Sequence, residues 1–140
     1  MRLAIFAAVL SGFALAATAA DPAAEAATSY VVRAAADPAA LKVGASGMVR
    51  LFVEPTGAVH VDPKAPIQVT LSATPGLTLP KTKLGRPDAV PSGPGVSFQV
   101  PFTAAAAGPQ EVKAKLDFFV CTDQWCVKQV RDVAVTVDVK

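Results

Sequence analysis

Cys121 and Cys126 are the two cysteines of this 140-residue chain. A thiol pair at such short spacing can close a disulfide and, if the bond is accessible, exchange electrons through it. The segment Asp117-Phe118-Phe119-Val120-Cys121-Thr122-Asp123-Gln124-Trp125-Cys126-Val127-Lys128 reads as two strands about a tight reversal. With Asp123-Gln124 as a two-residue turn, Thr122 faces Trp125 in a hydrogen-bonded pair and Cys121 faces Cys126 in a non-hydrogen-bonded one. Such pairs have a Cα separation of about 4.5 Å, within the range a disulfide accepts. Asp-Gln is a weak turn dipeptide, so a four-residue loop fits equally well, and either geometry brings the sulfurs together. Side chains alternate along a strand, so core-facing Phe118, Val120 and Val127 put both cysteines on the opposite face with Phe119. The bridge is therefore expected outside the main core, at one end of a sheet, with Phe119 and Trp125 as local cover.

A structural staple and a redox pair both fit this hairpin. The loop closed is so short that the chain-entropy model credits the bridge with only about 2 kcal/mol, against about 4.7 kcal/mol for a loop near 100 residues. A spacing of five also cannot link the two sheets of a sandwich, as the antibody disulfide does. Metal binding has less support: two cysteines, His60 and Met48 do not compose a four-ligand site. A copper carrier using the two thiols lacks an accompanying methionine or histidine cluster. His60, at the end of an expected strand, is either structural or a proton-transfer group. Asp123 is a turn residue whose charge would raise a neighbouring thiol pKa. Trp125 and Phe119 are the candidates for a partner-docking surface, with coverage of a sheet edge as the plainer role for Trp125.

The elements that must position this hairpin are strands. Alternation places Val49, Leu51 and Val53 on one face against Arg50 and Glu54, and Ile67, Val69 and Leu71 against Gln68, Thr70 and Ser72. Val96, Phe98, Val100 and Phe102 oppose Ser97 and Gln99. Val112, Ala114, Leu116, Phe118 and Val120 oppose Lys113, Lys115 and Asp117, and Val133, Val135, Val137 and Val139 close the chain. With Tyr30 to Ala34 and Ala58 to Val61, about seven half-buried strands result, which predicts an all-β, immunoglobulin-like antiparallel sandwich over residues 30–140. Pro55-Thr56-Gly57 and Pro75-Gly76 are expected to close hairpins, and Ala107-Gly108-Pro109 to mark a third reversal. Lys81 to Gly95, with three prolines and three glycines, reads as a long surface loop. The alanine-rich stretch 21–29 fits a short helix or a flexible tether, and the tether is expected because termini are ordered only where something holds them.

Residues 1–20 carry Arg2, an apolar run from Leu3 to Ala17 and small residues before Asp21-Pro22, the pattern of a secretory signal peptide. The run is shorter than the roughly 20 residues needed to span a bilayer. A periplasmic or secreted domain of about 120 residues is expected, without direct membrane insertion after cleavage. Without the leader, 12 basic residues stand against 11 acidic ones, a surplus of one, which argues against nucleic acid as a partner.

The chain resembles the amino-terminal periplasmic domain of the thiol-disulfide interchange protein DsbD and its stand-alone relatives. The resemblance is carried by Phe119-Val120-Cys121-Thr122-Asp123-Gln124-Trp125-Cys126, with weaker matches at Gly57-Ala58-Val59-His60-Val61-Asp62 followed by Pro66, and at Leu77-Thr78-Leu79-Pro80. It implies an immunoglobulin-like sandwich whose cysteine pair accepts electrons from a membrane thiol-disulfide protein and passes them to thioredoxin-fold proteins, without a cofactor. It further implies that Cys126 forms the mixed disulfide and Cys121 resolves it. Two features differ from the family: Val127-Lys128-Gln129 follows Cys126 where a proline-containing stretch is common, and Lys81 to Gly95 has no aromatic residue where the family carries an aromatic cap loop. The expectation from a different class is a non-enzymatic immunoglobulin-like interaction module, using an open edge strand or the hairpin tip.

Overall fold

A computed structural model describes residues 21–140; the expected signal peptide, 1–20, lies outside the described residues. Helix α1 (Pro22–Ala27) leads into strands β1 (Tyr30–Asp37), β2 (Ala40–Leu41), β3 (Ser46–Pro55) and β4 (His60–Val61). These are followed by β5 (Gln68–Ala73), β6 (Leu77–Thr78), β7 (Lys83–Leu84), a 3-10 turn (Arg86–Asp88), β8 (Val90–Ser92), β9 (Gly95–Ala104), β10 (Gly108–Cys121) and β11 (Cys126–Val139). One sheet has the order β1-β3-β9-β6, with β8 also on β9. The other has the order β2-β11-β10-β5-β7, with β4 also on β10. Every ladder is antiparallel except the short β2–β11 pairing. The fold is the expected all-β, immunoglobulin-like sandwich. Among the described residues no helix is long and apolar enough to cross a membrane.

The alternation read from the sequence is what fills the space between the sheets. Val49, Leu51 and Val53 of β3 and Val96, Phe98, Val100 and Phe102 of β9 point inward from one sheet; Val69 and Leu71 of β5 and Val112, Leu116, Phe118 and Val120 of β10 meet them from the other. Phe118 packs edge-on against Tyr30, with ring centroids 5.1 Å apart at 82°. The Tyr30 hydroxyl donates to Gln129 Oε1 at 2.8 Å, which gives that buried amide its partner on the core side of β11.

Several local expectations are corrected. Pro55-Thr56-Gly57 and Pro75-Gly76 do not close hairpins. The chain leaves β3 for β4, and β5 for β6, by crossing from one sheet to the other, and the reversal at Ala107-Gly108-Pro109 between β9 and β10 crosses as well. Gly57, at φ +62°, supplies the left-handed backbone that the first crossing requires.

The stretch 21–29, expected as a tether, contains α1. Asp21 accepts from Ala23 N–H at 3.0 Å as an N-cap, Pro22 begins the helix, and the small side chain of Ala26 lets it bury completely. Arg131 of β11 donates to Ala27 O at 3.3 Å and ties the helix down.

Lys81 to Gly95 is more structured than a loop. Leu84 is buried on β7, and Asp88 accepts from Lys81 Nζ at 2.6 Å and from Gly85 N–H at 2.9 Å. The seven expected strands are all present, and β2, β6, β7 and β8, of two or three residues each, are added to them.

Candidate functional site

β10 is the strand that places the cysteines. It pairs with β11 along its whole length, from Gly108↔Val139 to Cys121↔Cys126, and its end also pairs with β4, with Val120 opposite Val61 and Cys121 opposite His60. Residues directly paired across a ladder share a face, so His60, Cys121 and Cys126 form one row across three strands, on the side away from core-facing Val120 and Val127.

Cys121 and Cys126 are disulfide-bonded with a Cα separation of 4.1 Å, close to the spacing of a non-hydrogen-bonded pair. The connection is the four-residue loop Thr122 to Trp125. Thr122 N–H donates to Trp125 O at 2.8 Å, while the Thr122 hydroxyl accepts from Gln124 N–H at 3.2 Å and Trp125 N–H at 3.3 Å. A side-chain oxygen thus takes the place of the carbonyl that would accept in a two-residue turn.

The two bridged residues differ in burial. Cys121 is 2% exposed and Cys126 lies at the surface. The bridge sits outside the hydrophobic core cluster, as its parity requires. Its cover comes from a residue that sequence reasoning missed. Asp62, immediately after β4, places Oδ2 3.6 Å from Cys121 Sγ and 3.9 Å from Cys126 Sγ. With no S–H in the disulfide, these are contacts of a carboxylate against the bridge.

Asp62 is held there by its backbone and its second oxygen. Its N–H donates to Phe119 O at 3.1 Å, extending the β4–β10 pairing by one residue. Oδ1 accepts from Lys64 N–H at 2.7 Å and Ala65 N–H at 3.0 Å, which closes a tight turn. Arg86, in the 3-10 turn, donates to Asp62 O at 2.9 Å and to Ala65 O, and so clamps that turn from outside. The Lys64 N–H, then the Ala65 N–H, hold the Asp62 carboxyl below its ordinary pKa; the charges of His60 and Arg86 add to this, against partial desolvation.

The remaining predicted residues separate. Trp125 is half-buried and packs against the core cluster, while half-buried Phe119 stands on the outer face beside Pro66, Gln68, Asp117 and Lys128. The two aromatics therefore look to opposite sides of the hairpin. Asp123 is exposed in the loop. His60 also lines a cleft of about 310 Å³ with Val61, Pro63, Arg86, Pro91 and Pro94, directly beside the row that carries the sulfurs.

Because the 14-residue ladder of β10 and β11 and the core hold this hairpin independently of the bridge, reduction is expected to lower unfolding free energy by only about 2 kcal/mol and leave the sandwich intact. Urea unfolding of the oxidised and reduced forms, followed by far-ultraviolet circular dichroism, measures the difference. Loss of the β-sheet spectrum on reduction alone would contradict it.

Fold and site together define an immunoglobulin-like domain with an end-of-sheet hairpin disulfide. No protein-family model and no curated protein matches the chain. Among solved structures it is similar to a crystal structure of native alpha-2-macroglobulin from Escherichia coli spanning domain MG7 to the C-terminus, at 16% identity and a TM-score of 0.49. That match covers 80% of this chain and 17% of the other.

Proposed function

We propose that this domain is a thiol-disulfide exchange module of the DsbD amino-terminal type, exported to the periplasm, with Cys121 and Cys126 as its redox pair and no cofactor. The observation that carries the proposal is the unequal burial of the bridged residues: Cys126 is exposed while Cys121 is enclosed between β4 and β11, and so short a loop is expected to add only about 2 kcal/mol of stability.

A thiolate of a reduced partner attacks Cys126 Sγ along the open side. The disulfide breaks, Cys121 leaves as a thiolate and takes up a proton, and the partner is held through Cys126 in a mixed disulfide. The partner's second thiol then attacks that bond and releases Cys126. The partner ends as a disulfide and this chain as two thiols.

Delivery to a thioredoxin-fold protein runs the same steps in reverse. Cys126 attacks the acceptor disulfide and Cys121 resolves the mixed bond. A membrane thiol-disulfide protein is the electron donor in this scheme. Phe119, on the same face as the sulfurs, is positioned for docking, and Trp125 supports the hairpin from the core side.

Equilibration of the purified domain against a glutathione or dithiothreitol series gives the reduction potential of the pair. A value between about −270 and −120 mV is expected, the range of exchange proteins; one well below about −300 mV marks a structural bridge and ends the proposal.

The second reading is a non-enzymatic interaction module. It is favoured by the outer edge of β11, which among the described residues is paired by β2 only at Asp138 and Val139 and carries Val130 at 41% exposure. Capture of a partner by the Cys121→Ser, Cys126→Ser double variant distinguishes this reading from exchange, which needs a thiol.

A further inference from the structure

Asp62 does not touch the sulfurs by chain proximity. It lies 59 residues before Cys121, and only the pairing of β4 with β10 brings its free carboxylate oxygen against both cysteines. The sequence offered two soft ligands and no third. The fold supplies one, and Asp62 Oδ2 and the two sulfurs all lie within 4.8 Å of one another.

In the closed bridge these are van der Waals contacts, and they already hold the carboxylate oxygen about as far from each sulfur as a shared ion needs once the sulfurs part. Zinc binds thiolate sulfur at about 2.3 Å and carboxylate oxygen at about 2.0–2.2 Å, so a tetrahedral centre sets sulfur and oxygen about 3.5 Å apart. The observed separations are 3.6 and 3.9 Å. Asp62 Oδ1 is occupied by two backbone N–H groups, which leaves Oδ2 to act as a single, oriented donor.

We propose that the reduced domain carries a binding site for a divalent, thiol-seeking ion of the zinc class, with Cys121 Sγ, Cys126 Sγ and Asp62 Oδ2 as its three protein ligands. Exposed Cys126 is the side from which the ion enters, and the fourth position is left to water. His60, in the same row opposite Cys121, stands beside the ligand set without belonging to it.

The site exists only after two-electron reduction. A dithiol or phosphine reductant is oxidised, the S–S bond becomes two thiols whose sulfurs relax to non-bonded separation, and ion binding then releases the two thiol protons to solvent. Oxidation discharges the ion. The proposal depends on the exchange reading only in requiring that the bridge be reducible, and chemical reduction supplies that condition without any protein partner.

The test is titration of the phosphine-reduced protein, under anaerobic conditions and freed of phosphine, with cadmium as a spectroscopic substitute for zinc, followed by zinc competition against a chromophoric chelator. A sulfur-to-cadmium charge-transfer band saturating at one ion per chain is expected, with none from the oxidised protein. Asp62→Asn keeps the oxygen that closes the turn, so its circular dichroism should match the parent. Its affinity should fall about tenfold or more, since even groups outside the coordination sphere change metal affinity by about 10- to 100-fold. Saturation at one ion per two chains, an Asp62→Asn affinity within about twofold of the parent, or an absent band would each overturn the three-ligand site. None of these outcomes depends on the reduction potential, so the site and the exchange function fail separately.

Discussion

Cys121→Ser protein is expected to react with an aromatic disulfide reagent on the order of 100-fold faster than Cys126→Ser protein, because the first leaves the exposed sulfur free and the second leaves the enclosed one. A thiol that is 2% exposed reacts from states in which its cover has opened. An opening that costs about 2.7 kcal/mol, within the range of local openings in native proteins, reduces the reactive population about 100-fold. The cover here is specific: β4 on one side, β11 on the other and Asp62 against the sulfur. The same asymmetry predicts that Cys121→Ser accumulates a mixed disulfide with a thioredoxin-fold partner, while Cys126→Ser does not. Stopped-flow absorbance gives the two rates. Rates within about threefold of one another would mean that both sulfurs are equally open, and the observation supporting exchange would be gone.

Phe118→Ala is expected to cost about 3–5 kcal/mol, more than loss of the disulfide itself. Phe118 has no exposed surface, sits in the middle of the β10 contribution to the core and packs edge-on against Tyr30, so truncation leaves a cavity that two sheets cannot easily close. A domain of this size has a total stability of about 5–15 kcal/mol, so the variant should show a markedly lower urea midpoint in its oxidised form. The comparison with reduction matters more than either number. If the cavity variant proves more stable than the reduced parent, the bridge holds the fold and the structural staple becomes the better description of Cys121 and Cys126.

Strand identity was legible wherever alternation ran for five residues or more. Val96, Phe98, Val100 and Phe102 announce β9 because each inward position is apolar and Ser97 and Gln99 between them are not. β6 and β7 have two residues each, too few to display a period, and exist because β9 and β5 offer them edges. Pro55-Thr56-Gly57 fixes where the chain reverses, but whether it returns in the same sheet depends on pairings distant in sequence. α1 could not be told from a tether because six alanine-rich residues look alike whether free or packed; the burial of Ala26 and the docking of Arg131 on Ala27 decide between them.

The site divides in the same way. The cysteine pairing followed from strand parity within twelve residues. Asp62 carried only a local signal, an aspartate before proline at a strand end, which suggests a turn and says nothing of sulfur. His60 was singled out on its titration range, and its place beside Cys121 came from the β4–β10 register. Trp125 was expected as cover for the bridge, yet it packs on the core side, and the four-residue loop with its Thr122 hydroxyl acceptor allows that orientation.

The register of β10 against β11 also bears on how the bridge is formed. Fourteen consecutive pairs, ending in Cys121 opposite Cys126, align the two thiols as a result of hairpin assembly rather than as its condition. With two cysteines in the chain, one intramolecular pairing exists, so an oxidant acting on the assembled hairpin has no wrong partner to choose and no isomerase is required to correct it. The sandwich is thus its own template for oxidation, and a newly folded chain can acquire its bridge in a single encounter.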